Sequence, residues 1–164
     1  MCDRFSWYRG NPSRIERPGT PTMTTVIFAC VENAGRSQMA AAFFNALADP
    51  RRARALSAGT APASRVHPEV VATMREAGIE IGHVTPRLLT AELAAGAELL
   101  VTMGCGDACP FVPGLRREDW NLPDPKGQPP ERVREIRDEI RRRVEGLVKS
   151  EGFERIAPDR KSVV

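Results

Sequence analysis

One spacing constrains this chain more than any other: a cysteine, five residues, then Arg-Ser. It falls in the run Cys30-Val31-Glu32-Asn33-Ala34-Gly35-Arg36-Ser37. A short apolar run, Thr25-Val26-Ile27-Phe28-Ala29, precedes it, and a helical pattern from Gln38 to Leu47 follows. The segment therefore reads as strand, tight loop, helix. A loop entering a helix N-terminus turns several backbone N–H groups toward one point, and the helix dipole adds partial positive charge there. That is a cradle for an oxyanion, formed by Val31, Glu32, Asn33, Ala34, Gly35 and Arg36. The Arg36 guanidinium can add a planar fork to two oxygens of a tetrahedral anion. A cysteine at the base of such a cradle is expected to act as a thiolate nucleophile. Taken singly, a cysteine after a strand is ordinarily an inert buried thiol, and Arg-Ser at a helix start is ordinarily a cap. Strand exit, nucleophile, fork and hydroxyl in one short loop argue for chemistry.

At 164 residues the chain is most simply one domain with room for a real core. Its net charge of +3 helps attract an oxyanion and does not indicate a nucleic-acid partner. No apolar run approaches the roughly 20 residues of a membrane span. The N-terminal stretch lacks a signal peptide's apolar core. Low cysteine content with a reactive thiol fits a reducing cytoplasm. Residues 1–23 carry Arg4, Arg9, Arg14, Arg17 and three prolines without helical or strand periodicity. They read as a disordered extension, or Met23 is the true start. Cys2 lies there and is assigned no role. Residues 24–149 read as the domain and 150–164 as a polar tail.

Along the domain, residues 53–58 form a second, weaker strand candidate, followed by a loop at 59–63. His67-Pro68 starts a helix, with proline at its first position and Gly78 closing it. Val70, Val71, Met74 and Ala77 form its apolar side. Thr90 caps a short helix through Ala95. Residues 97–103 read as a buried third strand, and residues 118–122 as a short fourth. The last helix spans about 130–148, with Val133, Ile136, Ile140, Val144 and Leu147 on one face. The pairs Asp138–Arg142 and Glu139–Arg143 have helical spacing with the acid first. Arg141-Arg142-Arg143 reads as that helix's solvated face. Alternating strands and helices predict an α/β fold with a four-stranded parallel sheet flanked by helices. The cradle then lies at strand carboxyl ends, where such folds bind ligands.

The Cys-x5-Arg-Ser loop resembles that of the low-molecular-weight protein tyrosine phosphatase superfamily. Within it, Arg36-Ser37-Gln38-Met39-Ala40 looks most like the thioredoxin-coupled arsenate reductases. Leu56-Ser57-Ala58-Gly59-Thr60, Val101-Thr102-Met103-Gly104-Cys105 and Asp119-Trp120-Asn121-Leu122-Pro123-Asp124-Pro125 extend the resemblance from about residue 24 to 148. One departure is Glu32, where many phosphatases have glycine, so an acid sits beside the anion loop. The resemblance implies a cytoplasmic arsenate reductase of low-molecular-weight phosphatase-like fold. It implies Cys30 as nucleophile, Arg36 as anion fork, Ser37 as hydrogen-bond donor to the Cys30 thiolate, and Asp124 as the acid that protonates the leaving oxygen. Asn33 is expected to hold a left-handed turn. The lack of aromatic residues after Asp124-Pro125 argues against phosphotyrosine. Ala41 stands where some relatives carry a potassium-binding Glu, so no potassium site is expected, and no cofactor is implied.

Cys105 and Cys109 sit in a Gly/Pro-rich loop. Zinc favours four ligands, and the only other candidates are His67, His83, Cys30 and Cys2, without metal-like spacing. Two unrelated structural thiols would ordinarily lie in strands. Glycines on both sides of Cys105 let that loop move. Conversion of two thiols to a disulfide supplies the two electrons of arsenate reduction. By resemblance, Cys30, Cys105 and Cys109 match a three-thiol relay, emptied by a thioredoxin-type protein, with mycothiol or glutaredoxin as alternatives. The rival readings are a phosphatase using the same cradle and acid with water as second nucleophile on a phosphate oxyanion, an arsenate–mycothiol transferase, and a non-catalytic anion-binding or arsenic-sensing module. The last would not need Asp124.

Overall fold

In the computed structural model, which describes residues 23–104, 109–110 and 112–155, four strands make one sheet. They are β1 (Thr24–Cys30), β2 (Ala53–Gly59), β3 (Leu99–Thr102) and β4 (Arg116–Asp119), in the order β2-β1-β3-β4. Every pairing is parallel. The helices are α1 (Arg36–Leu47), α2 (Pro68–Glu76), α3 (Ala91–Ala95) and α4 (Pro130–Ser150). The expected α/β architecture is present.

β1 is interior to the sheet and buried on both faces, as an interior parallel strand in an α/β sheet usually is. Its alternate residues serve two cores. Val26, Phe28 and Cys30 point into the larger one, with Met39, Phe44, Met74, Trp120 and Ile140. Ile27 and Ala29 point into the smaller one, with Ala58, Leu89, Ala94, Leu100 and Cys109. α1 is covered by β1 and β2 on one side and α4 on the other, which explains its nearly continuous burial from Arg36 to Ala41. In α4, the expected Val133, Ile136, Ile140, Val144 and Leu147 are all buried.

Helix ends follow from local chemistry. Thr90 accepts from the Leu93 N–H at 3.1 Å and caps α3. α2 closes with Gly78 N–H to Arg75 O and Ile79 N–H to Met74 O, a paired C-terminal bonding pattern with glycine in the left-handed position. The same pattern ends α4, with Gly152 N–H to Lys149 O and Phe153 N–H to Val148 O. It returns Phe153, within the stretch read as a polar tail, to the domain. Its ring meets Phe44 edge-on at 6.1 Å, and its carbonyl accepts from Asp49 N–H.

Two expectations need correction. β4 lies at Arg116–Asp119, two residues before the expected 118–122. The Arg-Arg-Glu-Asp strand is an exposed edge with no apolar alternation to mark it. Trp120 still donates to Thr102 O, and then Trp120 and Leu122 turn into the core. On α4, Glu139 pairs with Arg143 as expected, but Arg142 also turns to Glu139. Asp138 instead meets Arg137, whose guanidinium is drawn toward Glu76 and the Thr73 carbonyl of α2. Two arginines hold the Glu139 carboxyl down at about 2, through the Arg142 and then the Arg143 hydrogen bond. Arg141 lies over the Phe43 ring at 5.8 Å.

Between α1 and β2, Asp49 accepts from the Arg51 backbone and guanidinium at 3.0–3.2 Å. The Arg51 side chain, and then its backbone N–H, lower the Asp49 carboxyl from 3.8 to about 2. A depressed folded-state value stabilises fully above the unfolded value and is lost as pH falls through the folded one. Asp49→Asn should therefore flatten the stability loss between pH 3.8 and about 2. Urea midpoints across that window check it. Parallel curves for the two proteins would place the acid sensitivity elsewhere.

Candidate active site

β1 delivers Cys30 to the carboxyl edge of the sheet, 3% exposed and a free thiol. The loop from Cys30 to Gly35 then turns its carbonyls outward, and each is taken. Thr60 N–H donates to Cys30 O, Ala61 to Val31 O, Ala63 to Glu32 O, His67 to Ala34 O, and Met39 to Gly35 O. The Asn33 carbonyl accepts from Gln38 Nε2 at 3.0 Å. Among the described residues, no backbone N–H from Val31 to Gly35 donates to a protein acceptor. A loop whose carbonyls are all taken and whose N–H groups have no protein acceptor has the polarity an anion cradle needs. α1 begins at Arg36 with no capping side chain and no acid in its first turn, so its N-terminal groups remain open as well.

Asn33 fixes this shape. It is fully buried with φ of 51°, the left-handed turn expected from sequence. Its Oδ1 accepts from Gln38 Nε2 at 3.1 Å and from the Arg87 N–H at 2.9 Å. Its Nδ2 donates to Ser37 Oγ at 2.8 Å. Ser37 Oγ lies 2.9 Å from Cys30 Sγ. Because the hydroxyl oxygen already accepts from Asn33, its proton is free for the sulfur.

Arg36 is 9% exposed. Its Nη1 donates to Leu122 O at 2.8 Å, and Nη2 stands 3.9 Å from Asp124 Oδ2. Gly104 leaves room for it: a Cβ there would sit 2.9 Å from Nη1. Cys30, Val31, Glu32, Gly35, Arg36, His67 and Asp124 line one cavity of about 160 Å³. Cys30 forms its buried floor, and Asp124, with its side chain 55% exposed, stands at the mouth.

The carboxylate of Glu32 does not stand unopposed beside the cradle. Oε1 accepts from Lys126 Nζ at 2.9 Å, and Oε2 lies 2.9 Å from His67 Nε2. The second contact is a close approach without hydrogen-bond alignment, and Oε2 is otherwise buried and unpartnered. The Glu32 hydrogen bond, and then its charge, raise the Lys126 ammonium above its usual value.

Cys109 is 6% exposed, packed in the smaller core, and disulfide-bonded. Cys105 lies outside the described residues. No group of three or more His, Cys, Asp or Glu that could hold a metal occurs among the described residues, and no helix there is long and apolar enough to cross a membrane.

Four participants are given no role in the site by the sequence. Gln38 and the Arg87 N–H hold Asn33, His67 lines the cavity, and Gly59 lies against the loop. A Cβ on Gly59 would fall 2.5 Å from Val31 O and 2.8 Å from Asn33 N. Gly59→Ala must therefore displace backbone and is expected to destabilise the fold by about 1–3 kcal/mol. It should also weaken anion binding. Thermal melts with and without phosphate check this. An unchanged melting temperature would show that the loop has slack.

A free thiol at the foot of the loop, with the Asp124 carboxylate across the same cavity at the carboxyl edge of a parallel α/β sheet, is the arrangement a thiol enzyme acting on oxyanions would need. The chain belongs to the low molecular weight phosphotyrosine protein phosphatase family, whose pattern matches residues 25–160. A Halobacterium salinarum protein is 40% identical over 136 residues, covering 80% of this chain and 92% of its own. The glutaredoxin arsenate reductase of Synechocystis is 37% identical, covering 77% of this chain and 97% of its own. The structure of a thioredoxin-dependent arsenate reductase from Corynebacterium glutamicum superposes with a TM-score of 0.69 at 38% identity. That match covers 80% of this chain and 63% of the other.

Proposed function

We propose that the protein reduces arsenate to arsenite in the cytoplasm, with Cys30 as nucleophile and Cys105 and Cys109 as the electron source. The observation that carries this over simple ester hydrolysis is the state of the thiols. Cys30 is free before the cradle while Cys109, on the next strand's exit loop, is in a disulfide. A phosphatase needs only the first.

Arsenate enters the cavity, its oxygens held by the loop N–H groups and the Arg36 fork. Cys30 Sγ attacks arsenic, and Asp124 protonates the departing oxygen, which leaves as water. The Cys105 thiolate attacks Cys30 Sγ. The sulfur–arsenic bond breaks, its electron pair stays on arsenic, and arsenite leaves. Cys109 then attacks Cys105, giving a Cys105–Cys109 bridge and freeing Cys30. Two thiols are oxidised as arsenic gains two electrons. A thioredoxin-type dithiol protein restores them. The names of the Corynebacterium and Synechocystis relatives support thioredoxin or glutaredoxin in that place, with mycothiol as the alternative.

The test is arsenite release by the purified protein with thioredoxin, glutaredoxin or mycothiol supplied separately. Sustained release with thioredoxin or glutaredoxin is expected. Release with mycothiol alone would make the protein a transferase. Hydrolysis of a phosphate ester without arsenite formation would make it a phosphatase.

A further inference from the structure

We propose that the Glu32–Lys126 ion pair is a bar across the cavity mouth that selects free oxyanions over their organic esters. Displacement at a tetrahedral centre is in line, so the leaving oxygen lies opposite the attacking sulfur. Cys30 is the floor and Asp124 is at the mouth. Any group carried on that oxygen must leave between the anion loop and the Asp124–Gly127 loop. The Glu32 carboxylate reaches from the anion loop to Lys126 in the second loop. It lines the cavity, and Lys126 Nζ, two residues beyond Asp124, meets it at 2.9 Å.

Both ends of the bar are held. On the Glu32 side, His67 Nε2 stands 2.9 Å from Oε2, and His67 N–H donates to Ala34 O within the same loop. On the Lys126 side, its N–H donates to Asp124 Oδ1 at 3.0 Å, and Gly127 N–H donates to Glu69 Oε1 at 3.1 Å. Pro125 packs so close over Gly35 that a Cβ there would meet its Cγ at 2.9 Å. An exposed ion pair adds little stability, so this arrangement is better explained by what it excludes. Arsenate and phosphate carry no substituent and fit beneath the bar. An ester's organic group must displace it and pass a carboxylate.

The inference rests on the anion-cradle reading of the site and is tested by binding alone. Reduced full-length protein is titrated calorimetrically with inorganic phosphate and with phenylphosphonate, whose ring must project through the mouth. In the wild-type chain phosphate should bind about tenfold tighter or more. In Lys126→Ala both ligands should bind more weakly, because the Glu32 charge is unmasked, but the ratio between them should narrow about threefold, in keeping with the modest strength of a partly exposed pair. Glu32→Gln should narrow it too. An unchanged ratio in either variant overturns the bar. Failure of phosphate to bind the wild-type chain would remove the cradle itself, and the bar with it. Arsenite release in the same preparations reports separately on the reductase reading.

Discussion

Arg36→Lys is expected to lower kcat/KM for arsenate by about a hundredfold or more, the usual loss when one preorganised oxyanion donor is removed. The guanidinium has two tasks. Nη1 is tied to the Leu122 carbonyl at 2.8 Å, beneath a glycine that leaves no space for a Cβ. The rest of the fork faces the cavity. Lysine keeps the charge, but a single ammonium cannot hold Leu122 and also present two parallel donors to the anion. The loss should appear in both KM and kcat, because the fork binds the ground-state oxyanion and holds it more tightly as charge develops in the transition state. Steady-state arsenite release, with a melting curve to confirm folding, measures it. Turnover near the wild-type value would remove Arg36 from the chemistry.

Cys105→Ser is expected to abolish arsenite release, and Cys109→Ser to allow one turnover and then stop. Each exchange needs a thiolate attacking the preceding sulfur. Without Cys105, no internal thiol can break the Cys30–arsenic bond. Without Cys109, the protein stalls with Cys30 joined to Cys105. Cys109 is buried in one cluster with Ile27, Ala29 and Leu100, so its sulfur must become accessible before it exchanges. Mass spectrometry of arsenate-treated, alkylated variants identifies each bridge. Steady turnover by Cys109→Ser with thioredoxin would rule out the three-thiol sequence. Activity of Cys105→Ser with a small thiol alone would favour the transferase.

What could be read from the sequence was what is written locally. The anion loop, its strand and its helix occupy one continuous stretch, and Asn33 tolerates the left-handed turn that the loop requires. α2 and α4 carry apolar positions at helical spacing, bounded by prolines at the start and glycine at the end. β4 was misplaced because an edge strand needs no apolar alternation, and Arg116–Asp119 has none. The arginine pairing on α4 also depended on a neighbour, since Arg137 is claimed by α2.

The supports of the site were not legible because they act across the chain. The Arg87 N–H reaches Asn33 Oδ1 from 54 residues away, as a backbone group that any residue could supply. Gly59 matters for what its side chain would strike. His67 reads as the residue before a helix, and only the fold turns it toward Glu32. Glu32 itself, an acid beside an anion loop, makes sense once Lys126 is placed beside it, 94 residues on.

The central claim is that Cys30 passes two electrons to a bound oxyanion and recovers them from its own loop thiols. The most direct measurement is a single turnover. Fully reduced protein receives one equivalent of arsenate with no external reductant, and is then quenched, alkylated and digested. The account predicts one arsenite per chain, a Cys105–Cys109 bridge, and Cys30 carrying the alkyl label. Arsenate recovered unchanged, with Cys30, Cys105 and Cys109 all alkylated, would contradict it.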